Sequence, residues 1–217
     1  MDRNLLYKDW IMVRRRVCFL TPAALVIFTA FEIQARDSIF RWLPLPLLAC
    51  MYMYMIVGMV YERDDRNQAP VLLISAAYSR RNIMLNRYAF ISGLGLGFLI
   101  LCAIIKLAIY RFDFGEMVTA WGLGMVVSAA IVALAVPFLA KYPYVKAQNT
   151  MMIILFLLVI LFVLGVRYGS GFVGLLMGIN DLKQPGVFLL VTDGAAIAAL
   201  AVSCRICLRV YDHREFF

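Results

Sequence analysis

Residues 88–110 read YAFISGLGLGFLILCAIIKLAIY. Lys106 carries the only charge in these twenty-three residues. At about 1.5 Å per residue, a helix of this length covers about 35 Å, enough to cross a hydrocarbon core of about 30 Å. Five further apolar runs share its character: Val17–Ile33, Leu43–Tyr61, Met117–Leu139, Met151–Tyr168 and Val187–Cys207. The composition agrees. Hydrophobic residues make up 64% of the 217-residue chain and charged residues 16%, with a mean hydropathy of +0.87. A soluble domain of this size has too little charged exterior to cover so much apolar surface, whereas a bilayer supplies the missing apolar solvent. The reading is therefore all-α: one transmembrane domain, residues 1–217, with six spans. Lys106 lies about one turn from the end of its run and is expected to snorkel to the interface.

The first run is the shortest and holds Pro22 and Glu32. A signal peptide is the competing reading for it. A sixteen-residue basic segment with Trp10 precedes the run and no small-residue cleavage site follows it, which favours an uncleaved span. Orientation follows from Lys and Arg. Fifteen lie in Met1–Arg16, Glu62–Arg87, Ala140–Thr150 and the tail, against five (Arg36, Arg41, Arg111, Arg167 and Lys183) on the opposite side. This three-to-one bias places both termini and the Glu62–Arg87 loop in the cytoplasm of a multi-pass protein of the cell membrane. The +8 formal charge is spent in these short clusters, so it indicates topology and no nucleic-acid partner.

Two stretches are neither span nor simple loop. Residues 1–16 mix Leu5, Leu6, Trp10 and Val13 with Lys8, Asp9, Arg14, Arg15 and Arg16. They read either as an N-terminal interfacial elbow helix among lipid headgroups or as a basic flank that fixes topology. Residues 169–186 are glycine-rich around the short apolar piece Phe172–Ile179, which fits an external re-entrant or surface segment.

Catalytic chemistry needs convergent polar groups, and the chain offers few. It contains no G-x-x-x-x-G-K-[ST], no H-E-x-x-H and no G-x-S-x-G, and its one histidine is His213. Cys204 and Cys207 with His213 make only part of a four-ligand zinc set, and at i, i+3 the cysteines share a helix face. No enzyme activity, metal site or cofactor is expected of the chain itself. Asp193, in the sixth run, either lines a substrate path or reaches the outer interface. Gly93, Gly95, Gly97 and the Gly194–Ala201 stretch suit close helix packing.

The loop 62–87 carries the most information. After Glu62-Arg63-Asp64-Asp65-Arg66 it turns amphipathic, then breaks at Tyr78-Ser79-Arg80-Arg81-Asn82 before the third span. Ser79 is a good N-cap for a helix running through Ile83, Met84 and Leu85. The break fits a docking surface for a cytosolic partner, and it also fits an ordinary basic loop.

Ser75-Ala76-Ala77-Tyr78-Ser79-Arg80-Arg81-Asn82-Ile83-Met84, followed by Arg87-Tyr88, resembles the cytosolic loop of small six-span ABC permeases of the type-2 exporter kind, with Ala77 where that family has proline. Leu5-Leu6-Tyr7-Lys8-Asp9-Trp10 is similar to the family's N-terminal elbow. Val136-Pro137-Phe138 with Lys141-Tyr142 resembles the end of its fourth span, and Ser203 through Phe216 its charged tail. The resemblance implies a membrane-embedded permease subunit that pairs with a second permease, identical or not. Separate ABC ATPase subunits would bind ATP and Mg and press on Tyr78–Asn82 as the coupling segment. It implies export of a hydrophobic or amphipathic cargo such as a peptide, drug or lipid-like molecule. The alternative is a stand-alone membrane scaffold or sensor without an ATPase.

Overall fold

The computed structural model describes residues 3–35, 43–66, 78–109, 114–142, 144–153 and 185–212. Five long helices result: α1 (Arg3–Ala35), α2 (Pro44–Arg66), α3 (Arg80–Ile109), α4 (Phe114–Lys141) and α5 (Pro185–Asp212). All five are long and apolar enough to cross a membrane. Residues 144–153 add a further helical stretch. The expected fifth run, Met151–Tyr168, lies outside the described residues beyond 153, as do loop residues 67–77, external residues 169–184 and the tail from His213.

Each helix buries one stripe and gives the remainder to the lipid. On α1 the buried stripe is Leu5, Asp9, Val13, Val17, Ala24, Phe28 and Glu32, at helical spacing, while Phe19, Val26, Phe31 and Ile33 are exposed. Exposed side chains of this size on five helices are what a protein dissolved in hydrocarbon presents. The core is shared by α1, α2, α3 and α4, and in it Tyr52 stacks on Phe98 with centroids 4.0 Å apart. Tyr52 also exchanges a hydrogen bond with Thr21, 3.0 Å away, which fixes α1 on α2.

Close approach depends on glycines in α4. A Cβ at Gly122 would lie 2.6 Å from Thr192 Oγ1 and 2.8 Å from Phe188, and one at Gly124 would meet the Leu45 side chain. Gly122 thus admits α5 and Gly124 admits α2. Of the glycines singled out by composition, only Gly95 has such a contact, with Met53; Gly93, Gly97 and Gly194 face open space.

The contacts also sort the helix ends. Lys8, Asp64 and Arg87 meet at one end, where Cys207 of α5 packs on Met84 and Tyr144 on Asp65. Glu32 and Lys106 meet at the other. The segments rich in Lys and Arg therefore share one end of the bundle, called the basic end below.

Among the described residues, the segment expected as an interfacial elbow is continuous with the first span from residue 3 onward. The backbone runs as one helix from Arg3 to Ala35, 33 residues long. At 1.5 Å per residue this is about 50 Å, so about 20 Å projects past a hydrocarbon core of about 30 Å. The reason is local packing: Asp9, Val13 and Val17 continue the buried stripe without a break.

Candidate functional site

The basic end is where the chain concentrates its polar groups. Ser79 caps α3 as its sequence suggests. Its Oγ accepts the Asn82 N–H at 3.2 Å and its carbonyl accepts the Ile83 N–H at 3.1 Å. The cap fixes where the helix starts, so Arg80 opens α3 and Arg81 and Asn82 occupy its exposed first turn. Tyr78 is half-buried and Ser79 exposed. Asn86 Nδ2 donates to the Asn82 carbonyl at 2.9 Å and stiffens this turn.

Two turns further along α3, adjacent residues face two different networks. Arg87 is buried, pairs with Asp64 of α2 and lies over the Tyr61 ring, 4.6 Å from its centroid. Asp64 is held in turn by Lys8 of α1 at 3.3 Å, and Lys8 also pairs with Asp9 at 3.0 Å. Tyr88 lies 2.7 Å from Ser203 Oγ of α5, and Ser203 donates to the Ala133 carbonyl of α4 at 2.8 Å. A serine hydroxyl has one proton, so Tyr88 is the donor to Ser203. Two consecutive residues of α3 thereby tie it to all four other long helices. Neither network is legible in the sequence. The pointers to it are the Asp64-Asp65 pair at the end of an apolar run and the Arg87-Tyr88 pair at the start of another.

The elbow residues divide between faces. Asp9 is buried and Lys8 half-buried against α2, whereas Trp10, Arg14, Arg15 and Arg16 are exposed. Asp9, with its ion-pair partner, takes the buried position that apolar spacing alone would give to Trp10. Trp10 instead lines an open groove of 690 Å³ with Tyr7 and Phe90. Arg16 reaches Glu62 at 2.9 Å, and Glu62 also holds Arg66 at 2.8 Å. The Asp65 carboxylate accepts the Tyr144 N–H at 3.4 Å. Burial, with the Glu62 carboxylate near it, pushes the Tyr144 phenol above its ordinary pKa and keeps it neutral.

The far end holds a different arrangement. Lys106 does not snorkel. Its Nζ donates to both carboxylate oxygens of Glu32, at 2.9 and 3.0 Å, and both side chains are almost fully buried. Each sits three residues from the end of its helix, α3 and α1. Desolvating an ammonium in this setting is costly, and a carboxylate within hydrogen-bond reach offsets that cost better than a stretch to the interface. Asp193 is half-buried on α5, next to Thr192, which meets α4 at Gly122. Its Oδ1 is buried with no hydrogen-bond partner among the described residues. It lines neither the Trp10 groove nor the 190 Å³ cleft between Met53, Ser92, Ser128 and Leu200. Cys207 is buried against Met84 Sδ at 3.7 Å and Cys204 is half-buried. His213 is outside the described residues.

Comparison with known proteins bears on what this bundle is. No curated protein and no solved structure matches the chain. The family of ABC-2 family transporter proteins matches it over residues 4–212, from the first turn of α1 to the last of α5. A bundle of membrane-crossing helices with a capped, exposed helix start between its second and third spans, matched over nearly its whole length, belongs to the ABC-2 family of membrane permeases of ABC transporters.

Proposed function

We propose that the chain is the permease subunit of an ATP-driven exporter, and that its basic end faces the cytoplasm. It works with separate ABC ATPase subunits, which bind ATP and Mg, and with a second permease, identical or not. Its cargo is hydrophobic or amphipathic. The orientation is supported by the Lys and Arg bias, now gathered at one end of the bundle. Six spans are supported by the positions of the helix ends. α4 finishes at the basic end and α5 starts at the far end, so an even pattern needs one more crossing between them.

One observation carries the coupling role of Tyr78, Ser79, Arg80, Arg81 and Asn82: α3 starts with an exposed capped turn and, about 10 Å further on, Arg87 and Tyr88 bind α2 and α5 and, through Asp64 and Ser203, reach α1 and α4. An α-helix is stiff over two turns. A push on its first turn by a closing ATPase is therefore delivered through Arg87 to α2 and α1, and through Tyr88 to α5 and α4. Elements with discrete alternative packings can pass such a displacement on.

The test is the double variant Arg80→Glu, Arg81→Glu, expressed with the ATPase that copurifies with the native chain. Membrane insertion should be retained, while transport falls and ATP hydrolysis no longer follows it. Unchanged transport removes the coupling role from this segment. If no ATP-binding protein copurifies from native membranes, the transporter reading fails and a stand-alone scaffold or sensor replaces it.

A further inference from the structure

A second cavity at the basic end, of 330 Å³, lies between α1, α2, the end of α4 and the stretch 144–153. This size is within the range of small-molecule pockets, about 300–1,000 Å³. Its body is apolar and soft. Met55 and Met59 of α2 face Met151 and Met152 across it, and unbranched thioether side chains adapt to a flexible chain better than branched ones do. Two phenols stand in the wall, Tyr54 and Tyr144. The Tyr54 hydroxyl itself is buried, with no hydrogen-bond partner among the described residues.

The mouth is charged and its sign can be read. Arg16 and Arg66 share the single carboxylate of Glu62. The Asp65 carboxylate, outside the cavity lining, accepts the Tyr144 N–H. Among Arg16, Arg66 and Glu62 one positive charge is left over. Arg16 has five N–H donors and reaches Glu62 through Nη1. Arg16 is also the last residue before the first apolar run, and Glu62 the first after the second. The mouth therefore lies at the depth where a lipid keeps its headgroup, and the methionines lie at acyl depth.

We propose that this cavity binds one anionic amphiphile, with its apolar chain among Met55, Met59, Met151 and Met152 and its anionic head at Arg16. Such a molecule comes either from the adjoining leaflet, as an anionic phospholipid, or from solution, as a soluble amphiphile. The inference goes beyond the transport reading and does not need it, because binding is read without an ATPase.

The test uses the full chain in phosphatidylcholine nanodiscs and native mass spectrometry to count retained ligand. Dodecyl phosphate, dodecyltrimethylammonium and dodecyl maltoside are each titrated in. The expected result is one dodecyl phosphate retained per chain, ahead of the neutral and cationic probes. A Cβ at Gly58 would stand 3.5 Å from Tyr144 Oη, an ordinary contact, so Gly58→Ala should keep binding. Gly58→Leu extends into the cavity and should abolish it. Arg16→Gln, at an exposed position, should weaken dodecyl phosphate binding about fivefold, as removal of one cation at a membrane surface does. Competition by phosphatidylglycerol in the disc assigns the site to a lipid, and its absence assigns the site to a soluble amphiphile. Equal retention of the cationic probe overturns the proposal, as does undiminished binding in Gly58→Leu. If Gly58→Leu does not fold, an unchanged affinity in Arg16→Gln is sufficient to overturn it.

Discussion

The two ends of the bundle hold buried charge in different ways. At the basic end, Arg87, Asp64, Lys8 and Asp9 form a branched set: Asp64 has a cation on either side, and a second group (Arg16, Glu62 and Arg66) lies near the rim. At the far end, Lys106 and Glu32 meet through two short hydrogen bonds with almost no exposure. A branched set can lose one contact and keep its carboxylate neutralised. In the Lys106–Glu32 pair, truncating either member removes both short hydrogen bonds at once from a charge held in a low-dielectric interior. The comparison separates a part of the molecule suited to rearrangement from a part suited to holding α1 against α3.

Lys106→Met tests the sealed pair and should have the largest effect. Loss of one partner from a buried pair costs about 3–5 kcal/mol, read as a lower unfolding midpoint in detergent. Combining it with Glu32→Gln should recover most of the loss, because the buried negative charge is then removed together with the positive one. A single variant as stable as the native chain would remove the distinction between the two ends.

Arg87→Met comes next. Arg87 is as buried as Lys106, yet Lys8 remains to neutralise Asp64, so the expected cost is nearer about 2 kcal/mol. A Lys8→Met, Arg87→Met double variant should lose more than the sum of the two singles, since Asp64 then has neither cation. Strict additivity would show that the branches do not substitute for each other.

Ser79→Ala has the smallest expected effect, about 1 kcal/mol, and it should be local. Hydrogen exchange at Asn82 and Ile83 should speed up while the midpoint of global unfolding hardly moves. Slower exchange, or none of this change, would mean that α3 is not started by this cap.

Much of the architecture is local information. The spans follow from runs of apolar residues, because a helix is the only open segment that satisfies its own backbone in hydrocarbon. The sorting of basic segments to one end follows from Lys and Arg counts, and the start of α3 from one serine three residues before an amide it caps. Five of the six expected spans fall on described helices, and the resemblance of the loop at 75–88 agrees with the family match. What the tertiary structure decided are the partners of the charges. Lys106 and Glu32 are 74 residues apart in the chain, Lys8 and Asp64 are 56 apart, and Tyr88 and Ser203 are 115 apart. Whether a lysine near a helix end reaches for the interface or stays buried depends on what the neighbouring helix presents at that depth. Sequence fixes the depth of a residue through its distance from the ends of its run. Only the packing of one helix on another supplies its azimuth, and hence the groups it meets.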